Sequence, residues 1–234
     1  MEKIRKHHER NNMPIIEKNN RKILFIHIPK TGGTSVETYL FGGTLPEMTA
    51  DAEQRKIIMW GNGIISASPP LQHFSASQII KEIGYDSYRD LFKFAIVRNP
   101  YKRVLSAYIH RSTKKLYKQY GFTRRNIEEF RREIKTVLPM IISEQHAKYN
   151  NHFKTQKWFL EDEDGRIRTD IAILRTEDLK KGMIDSGFSD FDDRKCNTKR
   201  YTSYSYDEIL KDIEIKNIIR NYYKEDFISF GYDM

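Results

Sequence analysis

Residues Ile23 to Leu40 read ILFIHIPKTGGTSVETYL: an apolar run, then a lysine and two glycines, then a segment that favours helix. The run from Ile23 to Ile28 is short, contains β-branched residues and is bounded by charge on one side and Pro29 on the other, which predicts a buried strand of a parallel sheet. Pro29 ends it, because proline has no N–H for a ladder. Thr34 or Ser35 is then placed to cap a helix reaching Leu40, so the backbone N–H groups of Thr31, Gly32, Gly33, Thr34 and Ser35 are expected to point at one spot. Amides at a helix N-terminus, glycines that admit close approach and a cation beside them, Lys30, make an anion site.

The ATP-binding P-loop, GxxxxGK[ST], is the obvious comparison, but its glycines precede the lysine. Here Leu24 and Pro29 stand at those positions, and Gly32 and Gly33 follow Lys30. KTGGTS in that order, after a strand and before a helix, resembles the 5′-phosphosulfate loop of the carbohydrate sulfotransferases, the family that includes the heparan 2-O and chondroitin 4-O enzymes.

A second segment strengthens the resemblance. FKFAIVRNPYKRVLSAY, Phe92 to Tyr108, follows a strand (Leu91 to Val97) with Arg98 at its carboxyl end. Asn99-Pro100 opens a helix with a capping residue and a proline at the first helical position. Val104, Leu105, Tyr108 and Ile109 form its apolar face. An arginine fork suits a phosphate, and the hydroxyl of Ser106 can add a bond. Arg98 and Ser106 in this context resemble the family's 3′-phosphate site, so the two segments together match the two ends of 3′-phosphoadenosine 5′-phosphosulfate (PAPS). Tyr101, Lys102, Arg103 and Tyr108 resemble the family pattern as well, with Arg103 expected in a surface salt bridge.

The resemblance implies sulfuryl transfer from PAPS to a hydroxyl of an acceptor, expected to be a carbohydrate, with Lys30 stabilising the leaving oxygen and no metal required. LQHFSASQI, Leu71 to Ile79, resembles the segment that holds the catalytic histidine in some members, which makes His73 the candidate base; other branches use a glutamate. Histidine's ordinary pKa, near 6.5, suits that task. His27, inside the first strand, reads as a packed histidine. The stretch Asn151 to Gln156, NHFKTQ, resembles an H-[FW]-x-P-Q sequence with Thr155 replacing the proline, so His152 and Gln156 are candidates for acceptor or cofactor contact. Ile173 to Leu179 resembles a strand ending in R-x-E-x-L, with Arg175 and Glu177 expected as a structural pair. NTKRY, Asn197 to Tyr201, resembles a loop that closes over the nucleotide, from which Lys199 and Arg200 reach phosphate. The ending DFISFGY, Asp226 to Tyr232, is family-like and is assigned to packing.

The remaining chain sets the frame. Its 234 residues are enough for one sizeable domain, and 12% aromatic content argues against wholesale disorder. A formal charge of +9 and a pI near 9.4 favour anionic partners without specifying them. Cys196 is the single cysteine, which excludes an intrachain disulfide. With no apolar run of about 18 residues and no apolar core in the first dozen, the chain reads as cytoplasmic. Residues 1–20 are expected to be a flexible basic arm and 21–234 the domain. Between the strands, helices are expected over Asp51 to Trp60, from Ser75 or Ser77 to Gly84 with Ile79, Ile80 and Ile83 inward, and from about Asn126 to Leu138, with Pro139 as its limit or an interior position. Ile171 to Leu174 is a third strand, and Tyr206 to about Phe230 a closing helical segment. Strands alternating with helices predict a single P-loop-like α/β domain with a central parallel sheet and its ligands at the carboxyl ends of the strands. Two other classes fit part of the pattern. An ATP-dependent phosphotransferase would want a magnesium-binding carboxylate where Arg98 stands, and a non-enzymatic polyanion binder would rest on the charge alone, with no nucleic-acid motif to support it.

Overall fold

A computed structural model describes residues 15–40, 73–120, 126–144, 151–192 and 204–234. Four strands form one sheet in the order β1 (Ile15–Lys18), β2 (Arg21–Ile26), β3 (Phe92–Val97) and β4 (Ala172–Arg175). β1 and β2 are antiparallel, and β2–β3 and β3–β4 are parallel, with Ile23 opposite Phe92 and Phe94 opposite Ala172. The α/β architecture is therefore as the sequence indicated, with one antiparallel strand added at the edge.

The alternation along β2 and β3 explains their unbroken apolar character. Leu24, Ile26, Ala95 and Val97 enter one cluster with Ala76, Ile79, Phe159 and Phe230, while Ile23, Phe25, Phe94 and Ile96 enter another with Val36, Leu40, Leu179 and Met183. Both faces of the central strands are covered, so neither face needs polar residues. Helices α1 (Gly33–Leu40) and α7 (Leu179–Asp185) lie on one side, and α2 (Ala76–Ile83), α3 (Tyr85–Arg89), α6 (Gln156–Leu160) and α10 (Lys224–Phe230) on the other. A third cluster joins α4 (Pro100–Tyr120) to α5 (Ile127–Glu144) and α9 (Ile213–Tyr222).

Two expectations change and one open alternative, the place of Pro139, is decided. Ile15–Lys18, read as part of a basic arm, is β1; Asn19 and Asn20, with φ of 54° and 56°, turn the chain straight back into β2, and paired positive φ is what a two-residue hairpin of this hand requires. The closing segment is three helices, α8 (Tyr206–Ile209), α9 and α10, because Asp212 accepts from the N–H groups of Glu214 and Ile215 and so starts a new helix. α5 runs through Pro139 to Glu144. Other signals fell where expected: Ser75 caps α2 in a reciprocal box with Gln78, and the Asn99 side chain accepts from Lys102 N–H at the start of α4. The helix expected over Asp51 to Trp60 lies outside the described residues. Among the described residues no helix is long and apolar enough to cross a membrane.

Candidate active site

β2 ends at Ile26, and the chain then crosses His27 to Gly32 before α1 begins. Lys30 has φ of 70° and Gly32 of 93°; for lysine this is an uncommon, costly backbone state that its surroundings must impose. Three side chains do so. Arg103 Nε donates to the Pro29 carbonyl at 3.1 Å, Arg98 Nη1 to the Lys30 carbonyl at 3.1 Å, and Thr176 Oγ1 to the Thr31 carbonyl at 2.5 Å. Thr31 closes the turn by donating from Oγ1 to Ile28 O at 2.8 Å.

Three successive carbonyls are thus drawn towards the protein. A trans peptide holds its N–H opposite its C=O, so the amides of Lys30, Thr31 and Gly32 turn the other way. They precede the N–H groups of Gly33 and Thr34 at the start of α1, which have no intrahelical acceptor. No acid lies in that first turn. The result is a run of N–H donors at a helix start, with Lys30 in the same loop and Arg98 on its carbonyl side, an arrangement suited to an anion.

The helix starts two residues earlier than a Thr34 cap, and three earlier than a Ser35 cap, would have it. Gly33 is its first residue, and Ser35 N–H bonds to Gly32 O at 3.1 Å, so Thr34 and Ser35 sit inside the first turn. Its first position is held to glycine by His27. Its ring lies so close beneath Gly33 that a Cβ there would stand 2.2 Å from Nε2. His27 is buried, its Nδ1 is 2.7 Å from Glu37 Oε1, and its ring stacks on Phe25. It is a packed histidine, as its place in the run indicated, and it also sets the floor of the loop.

His73 stands beside it, buried, with ring centroids 5.0 Å apart. His73 Nδ1 is 3.2 Å from His27 O. A carbonyl only accepts, so Nδ1 carries the proton and the neutral ring has its lone pair on Nε2, the tautomer a base needs. Asn151 donates to His73 O at 3.2 Å, and the rings of His73, His152 and His110 follow one another at 5.1 and 5.8 Å.

Arg98, at the carboxyl end of β3, holds the Lys30 carbonyl and lies 5.6 Å from the Tyr206 ring centroid. Ser106 is half-buried in the second turn of α4. The loop from Lys30 to Ser35, His73 and Arg98 are therefore gathered at one end of β2 and β3. Lys199 and Arg200 lie outside the described residues.

Several residues do something other than the sequence indicated. Arg103 is no surface residue; it is fully buried, bonds Pro29 O and, through Nη2, His152 O at 3.3 Å, and has Asp226 as its neighbouring acid. Burial lowers its pKa and raises that of Asp226, each opposed by the other's charge. The sign of this pair was an acid set in the apolar run FISF and a basic residue four before Ala107 on the buried face of α4. Arg175 and Glu177 do not pair with each other. Arg175 donates to Phe230 O and lies over the Tyr232 ring, while Glu177 accepts from Asn99 N–H and Tyr232 Oη, each at 2.9 Å. Thr176, between them, is the residue that touches the loop, and nothing in its sequence context marked it.

A family model described as Sulfotransferase family matches residues 13–233. The chain belongs to the sulfotransferase family. No curated protein and no solved structure matches it. The match begins at residue 13, just ahead of β1, so the hairpin that precedes the loop falls within the sulfotransferase region. Membership makes the sulfotransferase a transferase acting on an acceptor substrate. Among the described residues no group of three or more His, Cys, Asp or Glu is arranged to hold a metal ion.

Proposed function

We propose that this sulfotransferase moves the sulfuryl group of PAPS onto a hydroxyl of a carbohydrate. The observation that carries this reading is the turn of the Pro29, Lys30 and Thr31 carbonyls onto Arg103, Arg98 and Thr176, which leaves the N–H groups of the same peptides facing the other way just before α1. Those donors fit a phosphosulfate, which supplies an activated sulfuryl group and a phosphate as leaving group. Lys30 and the amides from Thr31 to Thr34 hold that end, the Ser35 N–H being taken by the Gly32 carbonyl; the lysine meets negative charge developing on the leaving oxygen, an effect of roughly 10² to 10³ in rate. Arg98 and Ser106 hold the 3′-phosphate, with Lys199 and Arg200 adding positive charge. His73 takes the acceptor hydroxyl's proton at Nε2, while its Nδ1–H stays on the His27 carbonyl and keeps the ring oriented. The carbohydrate acceptor is supported by the resemblance to the heparan and chondroitin enzymes and by a net charge of +9, which suits an acidic glycan.

The test is transfer of labelled sulfate from PAPS to a panel of glycans, without added metal. His73→Ala is expected to lower turnover by roughly 10² to 10⁴ with nucleotide affinity unchanged. Undiminished turnover in that variant would place the base elsewhere, and phosphoryl transfer from ATP with no sulfuryl transfer from PAPS would overturn the donor.

A further inference from the structure

Gln156 opens α6 and is fully buried. Both ends of its carboxamide engage the backbone of one residue. Oε1 accepts from the Arg98 N–H at 2.8 Å, and Nε2 donates to the Arg98 carbonyl at 2.9 Å. A neighbouring strand would make the same two bonds, yet β3 has left the sheet at Val97, and a side chain supplies the pairing in its place.

Gln156 is itself held from behind. Its N–H donates to Asp226 Oδ2 at 2.8 Å, and the N–H of Lys157 donates to Oδ1 at 3.0 Å. Asp226 belongs to α10 and is fully buried beside Arg103, the residue that bonds the Pro29 carbonyl. The backbone of Arg98 is thereby referenced to the same buried frame that shapes the anion loop.

We propose that Gln156 is a positioning residue for recognition of the nucleotide's 3′-phosphate, clamping the backbone of Arg98 so that its guanidinium is aimed. The inference rests on the reading of Arg98 as the 3′-phosphate residue. With no exposed surface and both amide ends engaged, Gln156 acts on the ligand through Arg98 and not by touching it. The chemistry requires glutamine in particular. Asparagine is one methylene short, glutamate lacks the donor and sets a carboxylate against the Arg98 carbonyl, and methionine keeps the shape while losing both bonds.

The experiment is calorimetric titration of the full chain with adenosine 3′,5′-bisphosphate and with AMP, the ratio of the two Kd values measuring 3′-phosphate discrimination. Gln156→Met is expected to lower that ratio about tenfold while leaving AMP affinity unchanged. In an Arg98→Ala background the same substitution is expected to change the ratio no further, because the two act as one unit. Gln156→Glu, which keeps the acceptor, is expected to lower the ratio as well and serves if the methionine variant melts below the assay temperature. A folded variant that weakens both nucleotides alike, or effects that add in the Arg98→Ala background, would overturn the proposal, as would failure of every Gln156 variant to fold. If Arg98→Ala alone keeps its discrimination, the reading of Arg98 fails and takes the proposal with it. If Arg98→Ala loses discrimination and the Gln156 variants keep it, only the positioning role fails.

Discussion

Gly33→Ala puts two effects of opposite sign at one position. Alanine favours a helix over glycine by about 1 kcal/mol in an interior and by less at a first residue. The new Cβ, however, would stand 2.2 Å from His27 Nε2, 2.4 Å from Cδ2 and 2.8 Å from Cε1. Ordinary carbon contacts lie near 3.5 Å, so the ring or the start of α1 must move by about 1.3 Å. The ring has little freedom, being bonded to Glu37, stacked on Phe25 and packed against the edge of His73. The helix start therefore yields, and an overpacked core site costs about 1 to 3 kcal/mol, more than the propensity gain. A shift above 1 Å also takes the first-turn amides out of hydrogen-bond range of a bound anion, since such bonds span only about 0.5 Å. Thermal melting is expected to drop by several degrees and affinity for adenosine 3′,5′-bisphosphate by more than about tenfold. Equal stability and equal affinity in the Gly33→Ala protein would refute the account of His27 as the floor of the loop.

Two further outcomes follow from the buried and capping charges. Asp212 is held below the ordinary carboxylate range: burial opposes this, and the Lys135 ammonium at 3.1 Å and the N–H groups of Ile215 and Glu214 outweigh it. A carboxyl with a lowered folded pKa adds stability above its unfolded pKa and loses it as pH falls through the folded value, so melting temperature should fall on acidification below about pH 4, and less steeply in Asp212→Asn, where Asn still caps. A slope identical in the two proteins would remove Asp212 from the account. Arg103→Leu leaves Asp226 buried without its partner and is expected to destabilise by about 3 to 5 kcal/mol, measured by denaturant unfolding; a neutral result would mean that Asp226 is satisfied by the Gln156 and Lys157 amides alone.

What the sequence revealed was what neighbouring residues decide. The apolar run ended by Pro29, the Ser75 capping box and Asn99-Pro100 are local signals, and each element formed within a residue or two of its expected bounds. The Asn19-Asn20 hairpin was also local and legible in principle, but the polar composition of the first twenty residues pointed to an arm. The division of the C-terminal segment turned on Asp212, whose choice between exposed helical residue and cap depends on where its chain neighbours point. The loop was recognisable as an anion site, while the reason for its shape was not. Arg98 and Arg103, from one segment, and Thr176, from another, reach it across the fold, and only the fold brings them to three adjacent carbonyls. Gln156 is the same case: its partner is the backbone of a residue on another element, and a side chain's backbone partner leaves no trace in composition or periodicity.

The most direct test of the central claim is calorimetric titration of the protein with adenosine 3′,5′-bisphosphate, set against AMP and against ATP without magnesium. The account predicts micromolar affinity that depends on the 3′-phosphate and weakens by about tenfold or more in Arg98→Ala, the loss expected for a charge-assisted hydrogen bond. No binding, or a preference for ATP that survives Arg98→Ala, would contradict it.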